Sequence, residues 1–244
     1  MEPASSGLSE LQRVVNVFVS PTKTFEDVKR KSSWWLPWLL ISIAASAFFF
    51  TVDKKIGFDT IVKNNMSRAP EFVQKAIEQL PPDQRAAAMR RQITSQRIFT
   101  LYFSWVFNLI FGLIIAALLM VVFNFGMEAG IPFQKALAVI FYGWLPKIVY
   151  CLLAIVVLLK GIDPDDFNLE NPIATNLAVF VDASSSRFLQ HLLAGIDIFA
   201  IWEVVLIGIG FAAVAARKIS TGTAITTVAI VYGIYLLIRS ALPF

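Results

Sequence analysis

The residues most able to do chemistry here are two carboxylates in an apolar run. "GIDIFAIWEVVLIGIGFAAVA", residues 195–215, holds Asp197 near its start and Glu203 well inside. An unpaired charge in hydrocarbon is costly, so such residues have partners or a task. Taking about 1.5 Å per residue, Glu203 lies roughly 10 Å into its run. Arg239 sits three residues before the end, at Leu242, of the last apolar run, which points the opposite way. The two depths agree to within a helical turn. Lys147, near the middle of another run, is about 7 Å deeper, a gap that a long side chain can partly cover. Glu203 is therefore expected to stay ionised against Arg239, with Lys147 as a secondary partner. Asp197 belongs at the interface, where the positive end of a helix dipole favours it. The alternative use of the same charges is an ion or proton path.

Other reactive types lack the company that catalysis needs. A nucleophile requires an adjacent base. The sole histidine, His191, lies in an interfacial stretch, and the sole cysteine, Cys151, lies among leucines. No GxSxG, HExxH or CxxC occurs, and nothing in the sequence supports a Ser-Lys dyad on Lys147. "DPDDFNLEN" places carboxylates at 163, 165, 166 and 170. It lacks the glycine of a calcium loop and puts Phe167 where a ligand belongs, so a solvated acidic turn is the better reading, with weak divalent binding as the alternative. "GIGFAA", 208–213, has no preceding strand and fails as a nucleotide loop. Gly208, Ala212 and Ala216, spaced by four, instead suit close helix packing in lipid. No enzyme activity, cofactor or metal is expected.

Positioning these residues is the work of long apolar helices. The 244-residue chain is 57% hydrophobic, 13% aromatic and only 16% charged, and its mean hydropathy is +0.68. Soluble domains carry about 25% charged residues. Five apolar runs, 34–52, 98–125, 137–159, 196–216 and 224–242, approach the roughly 20 residues needed to cross a bilayer. The expected fold is all-α: a bundle of five transmembrane helices, residues 34–244, preceded by amphipathic helices in residues 1–33. Trp34, Trp35 and Trp38 mark an interface at the first run. A cleaved signal peptide is not expected, because residues 1–33 contain no short apolar core followed by a small-residue cleavage site. A net charge of +4, modest and unevenly spread, does not suggest nucleic acid, and none is expected as a partner.

In the tail, Ser9 and Gln12 have capping-box spacing, and Leu8, Leu11, Val14, Val15 and Phe18 share a face. Ser20-Pro21 reads as an N-cap with proline at the first helical position. The end of connection 53–97, "DQRAAAMRRQITSQR", should run unbroken into the second span. Its Arg85, Arg90, Arg91 and Arg97 could hold anionic headgroups, or simply face water on a helical stalk. Connection 160–195 opens acidic and continues into a stretch whose Phe188, Leu189, Leu192 and Leu193 form an interfacial stripe. Charge counts divide on orientation. Arg217 and Lys218 pull their loop, and with it the amino terminus, to the cytoplasm, whereas connection 53–97 has nine Lys/Arg against five in the tail.

Three stretches resemble the Yip-domain family, the Ypt/Rab-interacting membrane proteins and their prokaryotic relatives. They are "SPTKTFEDVKRKSSWWLPW", "ALAVIFYGWLPKIVYCLLAIVVLLKGI" with Pro146 inside it, and "NLAVFVDASSSRFLQHLLAGIDIFAIWEVVLIGIGF". The likeness runs in order over roughly residues 14–240 and is closer to the prokaryotic-type members. It implies five crossings, a cytoplasmic amino terminus and residence in a prokaryotic plasma membrane. Eukaryotic members contact Rab-type GTPases, but their "DLYGP" stretch has no counterpart here and the tail is short, so that binding is not expected. What the resemblance implies is a non-enzymatic protein that organises lipids, other membrane proteins or further copies of itself. The rival is a small transporter or channel using Glu203, Lys147 and Arg239.

Overall fold

The computed structural model describes residues 7–67, 69–165, 167–169, 171–181 and 186–242. They fold into helices, with a single isolated bridge, Asn176 to Asp197, outside them. Two short helices come first, α1 (Glu10–Val19) and α2 (Pro21–Arg30), then the long apolar α3 (Trp35–Lys55). Next are the small α4 (Phe58–Ser67) and α5 (Glu71–Glu78), and the 46-residue α6 (Pro82–Met127). The chain continues through α7 (Phe133–Gly143), α8 (Pro146–Lys160), a 3₁₀ turn (Leu177–Phe180), α9 (Arg187–Ala194), α10 (Ile198–Val214) and α11 (Thr221–Ala241). Four helical segments are long and apolar enough to cross a membrane: α3, α6, α7 with α8, and α11. The fifth apolar helix, α10, has 17 residues, about 26 Å at 1.5 Å each and close to the roughly 30 Å of a hydrocarbon core.

The chain passes back and forth along the bundle. At one end Asp53, finishing α3, meets Arg97 of α6 at 2.9 Å. At the other, Lys29 donates to the Ala215 carbonyl at 2.9 Å and Ala216 N–H donates to the Ala129 carbonyl at 2.8 Å. The first of these also satisfies a carbonyl that the end of α10 leaves orphaned. Outward faces are apolar, as lipid requires: Phe99, Phe103, Phe107, Ile114, Leu118 and Val121 of α6 are all exposed.

The third apolar run does not form the single helix expected over 137–159. It starts at Phe133 and breaks at Trp144–Leu145. Pro146 explains the break, because it has no N–H to donate and its ring would strike the carbonyl four residues back, at Tyr142. The halves then take different surroundings. Residues 136–143 of α7 are buried throughout, as a helix apolar on every side must be. In α8, Leu152, Leu153, Val156 and Leu159 face outward.

The amino-terminal helices wedge into the bundle, packing on α7 and α10. The Ser9–Gln12 capping box is formed in full. Proline does open α2, but the Ser20 hydroxyl makes no capping bond. Phe25 and Val28 of α2 are fully buried. The α6 stalk is unbroken into its span, as its helix-forming residues dictate.

Candidate functional site

A cleft of about 570 Å³ lies inside the bundle, within the size range of small-molecule sites. Helices α3, α8 and α10 make its back, and the α7–α8 break makes its floor, where α7 touches both α6 and α10. Its lips are α6 and α11, which do not pack closely on each other. Phe111 and Leu118 on one lip and Tyr235 on the other are exposed. The cleft therefore opens sideways, toward the surroundings of the bundle.

The break at Trp144–Leu145 aims two residues into this space. Lys147 Nζ stands 3.7 Å over the Trp144 ring, a cation–π contact. The same ammonium is 3.8 Å from Glu203 Oε2. A closed, hydrogen-bonded ion pair would be near 2.7–2.9 Å. This pair attracts without being sealed, and the Lys147 side chain is still 36% exposed. Arg239 lines the cleft as well. Within ion-pair distance, the partner that Glu203 makes is Lys147.

Asp197 is at the rim, as the N-cap of α10. It accepts from Phe199 N–H at 2.7 Å and from the Thr175 hydroxyl. The Asn176–Asp197 bridge and the Ile198 N–H to Thr175 carbonyl bond (3.2 Å) clasp the start of α10 to the preceding loop. Asp197 is thus occupied in positioning the helix that bears Glu203.

Asn108 is a site residue that sequence reasoning passed over. It sits in the middle of α6, lines the cleft, and its amide nitrogen is buried without a hydrogen-bond partner. Phe111, one turn on, stacks on Trp144 at 6.3 Å, so Asn108 and Lys147 flank the same aromatic floor. Asn124 of the same helix is fully employed, donating to the Ile131 carbonyl at 3.0 Å and accepting from Ile131 N–H at 2.8 Å. An amide inside a lipid-facing run was the available signal for Asn108.

The stalk arginines are not gathered here. Arg97 pairs with Asp53, Arg85 donates to the Glu78 carbonyl, and Arg90 and Arg91 are exposed on the stalk. Of the acidic turn, Asp166 and Glu170 lie outside the described residues. Asp163 accepts from Asp165 N–H at 3.0 Å. Among the described residues no cluster of His, Cys, Asp and Glu could hold a metal ion. His191 and Cys151 stay apart, the first on α9 and the second on α8.

Apolar helices of spanning length around a charged cleft define a multi-pass membrane protein. Residues 15–241 match the model of the Yip1 domain. The chain belongs to the Yip1 domain family. No curated relative and no solved structure matches it.

Proposed function

We propose that this protein is a non-enzymatic membrane organiser, which holds lipids or other membrane proteins against its bundle. One observation carries the reading: the cleft opens sideways between α6 and α11 while its polar groups face inward. Such a site is reached through the bilayer. Five crossings, with α10 as the fifth, a cytoplasmic amino terminus and a prokaryotic plasma membrane complete the proposal. The alternation of helix ends and the +2 of Arg217–Lys218 beside the amino-terminal helices support it.

The stalk fits the same role. Arg97 marks where α6 leaves the bundle, and Arg91 is about 9 Å beyond it along the helix. That is near the depth of a headgroup layer, so Arg90 and Arg91 are placed for anionic lipid. Arg85, about 18 Å out, lies farther from that layer.

Unbiased photocrosslinking in native membranes, with lipids and proteins identified together, tests the proposal. Reproducible crosslinks to residues on the two lips are expected. A second reading is favoured by the Lys147–Glu203 pair itself, which could serve an ion or proton path. Liposome flux that disappears in Glu203→Gln would overturn the organiser reading in its favour.

A further inference from the structure

We infer that the cleft receives the headgroup of a phospholipid that carries both a phosphate and a primary amine, with its acyl chains left in the bilayer between α6 and α11. This deepens the organiser reading and rests on it. Three independent features converge.

The first is charge. A positive and a negative group face the same space 3.8 Å apart, too far to satisfy one another by a hydrogen bond. A headgroup with one anionic and one cationic end can lie against both. Its phosphate oxygens take Lys147, and its ammonium takes Glu203 and the aromatic faces nearby. A quaternary amine has no N–H to give to the Glu203 carboxylate, and a purely anionic headgroup would be repelled by it.

The second is the unpartnered Asn108 amide. A buried donor left without an acceptor costs free energy comparable to a lost hydrogen bond. It lines the same cleft as Lys147, and Phe111, one turn on, stacks on the Trp144 ring that Lys147 covers. A phosphate bound at Lys147 offers it an acceptor.

The third is access. The floor at α7 is closed, and the lips are exposed apolar and aromatic residues. A molecule with two tails suits that opening, since the tails need never leave hydrocarbon. A small soluble zwitterion would have to cross the rim held by Asp197, Thr175 and Asn176.

The test uses the full chain in nanodiscs of phosphatidylcholine with a minor fraction of phosphatidylethanolamine. Lipid retained after mild detergent extraction is counted by native mass spectrometry. Phosphatidylethanolamine should be enriched over its share in the disc. Glu203→Gln should lower that enrichment about tenfold, the equivalent of losing one charge-assisted hydrogen bond, whereas Lys147→Gln, which removes the contact to the phosphate both lipids share, should lower the total lipid retained about tenfold. Asn108→Leu removes a buried amide nitrogen that has no partner in the fold, so it should lower the total lipid retained without lowering the melting temperature.

Equal retention of the two lipids would overturn the headgroup assignment. Enrichment that survives Glu203→Gln, or lipid retention untouched by Lys147→Gln and Asn108→Leu, would overturn the site. Competition by free phosphoethanolamine at millimolar concentration, with no lipid enrichment, would replace the lipid by a soluble zwitterion. If lip crosslinks to lipid or protein persist without amine selectivity, this inference fails and the organiser reading stands. If flux is found instead, both fail.

Discussion

Arg13 Nε donates to Asp27 Oδ2 at 2.6 Å, and the two side chains are 2% and 8% exposed. The same guanidinium donates to the Lys31 carbonyl at 3.0 Å and approaches Glu10 at 3.5 Å. Tyr142 of α7 donates to Glu10 at 3.0 Å. Burial pulls the Arg13 pKa down, but the hydrogen bonds and charges of Asp27 and Tyr142 together outweigh it, and the value ends above the ordinary one. The pair folds α1 back on α2 and holds both against the bundle.

Removing one member should therefore cost more than removing both. Asp27→Asn takes from the buried Arg13 its closest carboxylate, leaving Glu10 at 3.5 Å, and is expected to destabilise by up to about 3–5 kcal/mol. Arg13→Met with Asp27→Leu should recover much of that. Thermal unfolding in detergent, with proteolysis within α1 as a second readout, checks it. Additive losses would show that the two groups do not depend on each other.

Glycines separate packed from open helix faces. A Cβ on Gly208 would lie 2.5 Å from Cα of Ile225, backbone that cannot rotate away. On Gly210 it would meet Val139 Cγ1 at 2.5 Å and Phe25 Cε1 at 2.9 Å. Gly208→Ala must push α11 off α10, and overpacking of this kind costs about 1–3 kcal/mol. Gly210→Ala should cost less, because the atoms it meets belong to side chains rather than to backbone. Gly233 of α11 has open space, so Gly233→Ala should be neutral or stabilising by up to about 1 kcal/mol. The order of melting temperatures decides it, and an unaffected Gly208→Ala would remove the close α10–α11 contact from the account.

Much of this fold is legible in the sequence because lipid leaves few choices. A run such as 98–125 must be a helix, and Ser9 with Gln12 announces a helix start by local bonding alone. The break at Pro146 is harder to read, since neighbouring helices can absorb a proline inside a span. Burial decides there, and burial is a tertiary property. Arg13 and Asp27 look like solvated charges, being fourteen residues apart with no periodic relation. Depth brings Lys147 and Arg239 forward as partners of Glu203. It gives height in the membrane and says nothing of which way a side chain turns. Asn108 was passed over for a related reason, because only the assembled helices reveal which amide has no acceptor.

The passage count is open to direct measurement. With Cys151 replaced by serine, single cysteines at Ser9, Ser220 and Asp165 report three loops. Ser9 and Ser220 should label from one face and Asp165 from the other, because the contacts of Lys29 with Ala215 tie the first two together. Labelling of Ser220 and Asp165 from the same face would mean that α10 does not cross. The α10 helix is the shortest of the five, so this is where the arrangement is most exposed to refutation.

The last expectation concerns how tightly Glu203 depends on its cations. At 3.8 Å the pair with Lys147 is within electrostatic reach and outside hydrogen-bond geometry. Lys147 has a second hold on the cleft through the Trp144 ring. A double-mutant cycle of Glu203→Gln with Lys147→Gln should give a coupling within the roughly 0.5–3 kcal/mol of contacting residues. The parallel cycle with Arg239→Gln tests whether a second cation at the same depth shares the load. Removing Lys147 alone should hurt stability more than removing Glu203, because each loss strands the other member. An ammonium on a flexible stem, already 36% exposed, can find other partners, whereas a carboxylate fixed on α10 cannot. Both cycles are read as unfolding in detergent and again in nanodiscs. No coupling to either cation would leave Glu203 without an electrostatic anchor, and the carboxylate would then have to be protonated in the bilayer. In that event a proton-coupled task for it becomes the stronger explanation.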